Sequence, residues 1–186
     1  DPRGTLAERY LREHRGLDLP ESVAYSAIRF HAGLRYEGGK YLPAVVCLLR
    51  NIETNEPTGI HRTFLDRYTG EKIDRKMLGI AKGAAIKLDA ESSSALTIGE
   101  GVETVLAARA AGFTPGWALG SSGAVRSFPV LPNLNELTVL QENDPTSRRD
   151  VKTCARRYLA ARRPVNVVSS KVGNDFNDCW KAYGDE

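Results

Sequence analysis

The sequence predicts an α/β protein: a mostly parallel four-stranded sheet flanked by helices over residues 91–186, preceded by a small α+β unit over residues 1–90. Two observations predict this. From Ser94 onward, short apolar runs alternate with stretches of helical period, the pattern of a parallel sheet with helices packed on it. Before Ser94 there is one helical stretch, and then short strand-like runs separated by turn signals.

In the first half, residues 5–15 space Leu6, Tyr10 and Leu11 at helical intervals and stop at Gly16. Strands are expected over 27–31, 43–50 and 59–66, the last two joined by a hairpin-type turn. Turn residues at 68–71 begin a further excursion. Residues 77–88, with Gly79 and Gly83, read as a flexible connector or an edge strand beside a groove. In the second half the spacing predicts strands over 95–98, 116–119, 136–140 and 165–169. Helices are expected over 101–111, about 146–163 and 175–183. Trp117 and Trp180 read as core or packing residues, and no internal repeat or low-complexity tract interrupts the chain.

The chain has 186 residues, 41% hydrophobic and 26% charged, an ordinary globular composition. No apolar run approaches the roughly 18–20 residues that cross a bilayer, and no signal-peptide pattern opens the chain, so a cytoplasmic protein is expected. Cys47, Cys154 and Cys179 are scattered, without a Cys-x-x-Cys pair, which argues against a zinc module or a disulfide scaffold. The chain starts at Asp1 and its one methionine is Met77, so it reads as a piece of something longer. The net charge of +3 is compatible with nucleic-acid binding without requiring it. Residues 1–90 hold 15 Lys/Arg against 12 Asp/Glu, and residues 91–186 hold 11 against 11.

Ligands collect at the carboxyl ends of strands in parallel sheets, and Glu100, Glu142 and Asp144 all fall just past predicted strand ends. Magnesium takes hard oxygen ligands, usually one or two carboxylates with waters and substrate phosphates, so carboxylates converging on one rim suit phosphoryl transfer. Glu142 and Asp144 alternate by two across Asn143, and Glu100 sits between Gly99 and Gly101. Asp175 and Asp178 follow the fourth strand and suit an outer shell or, equally, helix caps. Glu103 reads as a solvated or capping helix residue, and His61 as a strand surface residue.

Three segments carry a family resemblance: Leu96 to Thr104 (LTIGEGVET), Val139 to Pro145 (VLQENDP) and Gly173 to Asp178 (GNDFND). Together they resemble the Toprim domain of primases and topoisomerases, most closely its plasmid- and phage-associated, DnaG-like primase group. Residues 7–17, 59–66 and 76–79 resemble segments of the primase core that precede that domain. The resemblance implies nucleotidyl transfer with Mg²⁺ or Mn²⁺: Glu100 as the acid–base glutamate, Glu142 and Asp144 as the metal pair, Asp175 and Asp178 as the trailing acidic motif. Glu142 departs from the aspartate usual at that position, and its extra methylene carries the oxygens one bond further out.

The implied activity is synthesis of RNA primers from NTPs on a single-stranded DNA template, with a replicative helicase or other modules of a longer protein as partners. Arg62, Arg75, Lys76, Lys82 and Lys87 are the candidates for holding template and triphosphate. The bases from Arg148 to Arg163 spread around their helix and read mainly as an exposed outer face. The rival readings are a Toprim nuclease or topoisomerase-type cleavage, and a non-catalytic DNA-binding module with a degenerate site. No GxxxxGK[ST] motif is present, which excludes a P-loop NTPase.

Overall fold

The computed structural model describes residues 1–90 and 94–184. The expected boundary between residues 90 and 91 falls where the description stops. Thr5 opens the first helix, its hydroxyl accepting from the Ala7 amide. The helix α1 (Leu6–Arg9) runs directly into a π-helical stretch, Tyr10–His14. Ala7, Tyr10 and Leu11 form its buried face.

Then come β1 (Ile28–Arg35), β2 (Tyr41–Asn51), β3 (Pro57–Leu65), β4 (Lys72–Gly79) and β5 (Ala84–Lys87). The second half follows as β6 (Ala95–Gly99), α2 (Val102–Ala110), β7 (Gly116–Ala118), α3 (Ser122–Ser127) and β8 (Glu136–Gln141). It closes with α4 (Pro145–Ala160), β9 (Val165–Ser169) and α5 (Phe176–Tyr183).

Among the described residues, nine strands join one sheet in the order β4-β3-β2-β5-β7-β6-β8-β9, with β1 paired to β2 off that path. The strands β7, β6, β8 and β9 are mutually parallel, the four-stranded parallel sheet that the alternation predicts. The first-half strands pair antiparallel.

The segment expected as a connector or edge strand is that only up to residue 83, where residues 77–79 end the edge strand β4 and residues 80–83 link it to β5. The rest is a central strand: β5 lies mid-sheet, antiparallel to both β2 and β7. The reason is composition: Ala84, Ala85 and Ile86 are all buried, and a short strand of consecutive buried apolar residues has no alternation to show. The helix α3 is not among those the spacing predicts; Ser121 caps it by accepting from the Ala124 amide.

Helices cover both faces of the parallel half. On one side the first helix, α2 and the flank of α5 pack with Val45, Cys47 and Leu140. On the other, α3 and α4 pack Val125, Val151, Cys154 and Tyr158 against Leu96, Ile98 and Trp117. Two glycines allow the closest of these approaches. A Cβ at Gly99 would lie 2.9 Å from Val105 Cγ2, and one at Gly116 2.7 Å from Val105 Cγ1. So α2 rests directly on the strand that ends in Glu100. No helix among the described residues is long and apolar enough to cross a membrane.

Candidate active site at the carboxyl ends of the parallel strands

The β6–β8 register pairs Ile98 with Val139, which brings Glu100 and Glu142 to the same end of neighbouring strands. Adjacent strands lie about 4.8 Å apart. Both carboxylates line one open cleft of about 270 Å³, together with Asp175 and the cations Arg15, Lys72 and Arg75.

Glu100 has a side chain 17% exposed, with Arg75 Nη2 at 3.9 Å. Burial raises its carboxyl above the usual range, against the pull of Arg75 and with help from Asp144. Glu142 is shifted further. Burial first, then the charges of Glu100, Asp175 and Asp144, push its carboxyl up to about 7. Asn174 Nδ2 donates to Glu142 Oε2 at 3.3 Å.

Asp144 caps α4: its Oδ1 accepts from the Thr146 and Ser147 amides at 2.8 and 3.0 Å. Asp175 and Asp178 form a reciprocal capping box at the start of α5. Asp175 Oδ2 also accepts from the Thr104 hydroxyl. Asp175 therefore borders the cleft with both oxygens engaged, and Asp178 does not line it.

Of the five basic candidates, the structure brings Arg75 to the cleft and leaves four elsewhere. Strand alternation separates Lys76 from Arg75: Lys76 pairs with Glu37 and Asp74 and lies over the Tyr36 ring. Arg62 donates to the Met77 carbonyl and lies over Phe64. Lys82 lines a separate hollow with Met77 and Ser121. Lys87 donates to the Ile52 carbonyl and lies over Trp117, towards the amino ends of the parallel strands.

The cleft holds groups that sequence reasoning missed. Glu103 is not solvated. Tyr10 donates to Glu103 Oε1 at 2.6 Å, and Arg15 Nε donates to the Tyr10 hydroxyl at 2.8 Å. Burial works to raise the Glu103 carboxyl, but the Tyr10 hydrogen bond, its own amide, Arg15 and Lys72 outweigh it and leave it below the usual range. His61 is not a surface residue either. It is 6% exposed and its Nδ1 has no hydrogen-bond partner. It lines a small cavity beneath Glu100 and Glu103. The register that places His61 opposite Cys47 faces it into the core, and burial lowers its pKa.

Arg15 is fixed from the far end of the chain. Three side chains of α5, at positions i, i+3 and i+4, donate to three successive carbonyls. Asn177 Nδ2 reaches Arg15 O at 2.8 Å, Trp180 Nε1 reaches Gly16 O at 2.9 Å, and Lys181 Nζ reaches His14 O at 3.3 Å. These are carbonyls that the first helix cannot satisfy internally where it stops.

The α/β topology of the second half has a counterpart in a known family: residues 95–186 match the model of the Toprim domain. The second half is a Toprim domain. Residues 1–88 match a domain of unknown function, DUF7146. No curated protein matches the chain.

Solved structures share the fold across both halves. The primase fragment of the bacteriophage T7 primase-helicase protein aligns with a TM-score of 0.59 at 15% identity, covering 95% of this chain and 66% of that one. The DnaG catalytic core gives 0.62 at 15% identity, covering 98% and 70%. The DnaG primase catalytic domain bound to ssDNA gives 0.61 at 16%, covering 98% and 71%. The chain thus has a DnaG-like primase fold around its Toprim domain and spans about two thirds of the phage fragment.

The donors at the Toprim rim suit a hard divalent ion. Glu100 and Glu142 are oxygen donors whose mutual repulsion Arg75 offsets only in part, which favours a cation between them. Among the described residues, no three His, Cys, Asp or Glu groups converge closely enough to hold an ion by protein alone. The fit is therefore to an ion that takes two carboxylates and completes its shell with water and phosphate oxygens, the usual arrangement for magnesium.

Proposed function

We propose that this chain is the catalytic core of a primase-type nucleotidyltransferase, joining NTPs into RNA primers on single-stranded DNA. One observation supports the reading above the others. The carboxylates Glu100 and Glu142, from neighbouring strands of one half, face Arg15, Lys72 and Arg75 from the other half across a single cleft. Negative groups that hold a metal and positive groups that hold a triphosphate are what phosphoryl transfer needs on opposite sides of the reacting phosphate.

In this reading Arg15, Lys72 and Arg75 bind the triphosphate. Tyr10 and Glu103 orient the Arg15 guanidinium. Glu100, with its raised carboxyl, moves the proton of the attacking hydroxyl. Glu142 and Asp144 hold Mg²⁺ or Mn²⁺, which when bound supplies charge neutralisation at the phosphate. Asp175 and Asp178 support the rim by starting α5. A replicative helicase, or further modules of a longer protein, would bring the template.

The test is primer synthesis from labelled NTPs on single-stranded DNA with Mg²⁺ or Mn²⁺. Glu100→Gln and Glu142→Gln are each expected to remove it; undiminished synthesis in both variants rejects the assignment. Nicking of a plasmid with Mn²⁺ and no NTPs would instead favour a nuclease. A non-catalytic nucleic-acid-binding module is the second reading, favoured by Asp144 having one oxygen committed to its helix cap. Calorimetric titration with Mn²⁺ separates the two, since a degenerate site gives no binding that Glu142→Gln abolishes.

A further inference from the structure

The helix α4 carries more bases than the fold uses. Its buried face is Ser147, Asp150, Val151, Cys154 and Tyr158. Several of its cations, and one just past its end, are spent internally. Arg149 pairs with Asp150 at 2.9 Å, Arg157 donates to the Phe128 and Arg126 carbonyls, and Arg163 donates to the Pro132 carbonyl. Of the rest, Arg148, Lys152 and Arg156 stand at i, i+4 and i+8, all exposed on the face opposite the core. The bases read as scattered around the helix thus resolve into one stripe once Arg149, Arg157 and Arg163 are set aside.

Three features give the stripe a partner of defined chemistry. First, it is uncompensated: Asp150 is the one acidic residue in α4, buried and held by Arg149. Second, the bases recur every four residues, about 6 Å along the axis, close to two steps of about 3.4 Å along one nucleic-acid strand. Third, it is continuous with the rim. Arg148 Nη2 donates one long hydrogen bond, 3.4 Å, to the carbonyl of Asn143, the residue between Glu142 and Asp144, and the side chain stays exposed. From there the stripe runs roughly 12 Å away from the carboxylates.

We propose that α4 is a track for the phosphate backbone of a nucleic acid, leading from the carboxylate rim through Arg148, Lys152 and Arg156. The proposal rests on the reading that the rim acts on nucleic acid, and it adds a second contact surface, in the Toprim half, outside the cleft.

The test is fluorescence anisotropy of a labelled single-stranded DNA 20-mer, about that length, and of the matching RNA/DNA hybrid, titrated with the full chain from about 50 to 200 mM salt. Both proteins carry Glu100→Gln, so that no turnover intervenes. The comparison is with the triple variant Arg148→Gln, Lys152→Gln, Arg156→Gln, whose exposed positions leave the core untouched. At about 0.7 per phosphate contact on a single strand, the slope of log K against log salt should fall by about 2. An unchanged slope on both probes overturns the proposal. So does an unchanged slope together with lost binding to an acidic peptide or to anionic vesicles. A reduced slope in a chain whose Glu100 form makes no primers leaves the track standing and removes the primase reading. Full primer synthesis by the triple variant with Glu100 restored, together with an unchanged slope, does the reverse.

Discussion

Replacing Asn177 by alanine tests the clamp between α5 and the first helix. Asn177 is 2% exposed, and its Nδ2 is the side-chain partner of the Arg15 carbonyl at 2.8 Å. That carbonyl lies at the end of a helix, so no backbone amide replaces the lost donor. A partly buried acceptor stripped of its partner costs about 1–3 kcal/mol. For a chain of this size each kcal/mol moves Tm by roughly 2–4 °C, so a drop of about 4–8 °C is expected at the middle of that range. Urea unfolding followed by the fluorescence of Trp117 and Trp180 measures it, with the midpoint falling and the slope unchanged. Asn177→Asp should be worse than alanine, because it places a buried acceptor against an acceptor. A loss below about 0.5 kcal/mol in the alanine variant, or an aspartate variant as stable as the parent, refutes the clamp.

Three further outcomes follow from the site and the packing. Glu142 has a folded pKa of about 7, raised above its ordinary carboxylate value. Without divalent ions, its contribution is therefore fully present below the ordinary carboxylate range and lost as pH rises through about 7. Glu142→Gln should flatten that part of the urea-midpoint profile and stabilise the chain above neutrality; two superimposable profiles would show that Glu142 is not shifted. Adding Mg²⁺ or Mn²⁺ above pH 7 (on the order of ten times Kd) should raise Tm in the parent and not in Glu100→Gln or Glu142→Gln, since an ion that binds only the folded state stabilises it. A parent Tm that ignores both ions counts against the metal site. Gly99→Ala should destabilise by about 1–3 kcal/mol through overpacking against Val105 and Leu140, and Val105→Ala in the same chain should recover part of the loss.

The parallel half was legible because strand and helix alternate at standard spacing, and strand ends in such a sheet announce where carboxylates converge. That logic located Glu100 and Glu142 from local pattern alone. It could not locate Arg15 or Tyr10, which meet Glu103 across about ninety residues of chain for which the local sequence has no marker. Four of the five basic candidates lie away from the cleft, for a different reason. No strand is predicted over residues 72–76, which hid the alternation of β4 that turns Arg75 to the cleft and Lys76 away from it. Lys72 has the parity of Lys76, so alternation would turn it away; the register shift between Asp74 and Lys72 brings it to the cleft, and no local pattern announces that shift. Glu103 and His61 were read by what their residue types usually do, and burial at a junction between halves overrode that expectation.

The central position of β5 bears on how the chain reaches this structure. By sequence β5 belongs to the first half, yet it pairs with β2 on one side and β7 on the other. Its β7 partners lie some thirty residues further on, so that pairing is non-local and closes late. Until β7 arrives, Ala84–Lys87 is an uncovered edge of small apolar residues, the kind that recruits strands from other molecules. Expression of residues 1–90 alone is therefore expected to yield aggregate, and adding the second half in trans should suppress it by completing the sheet.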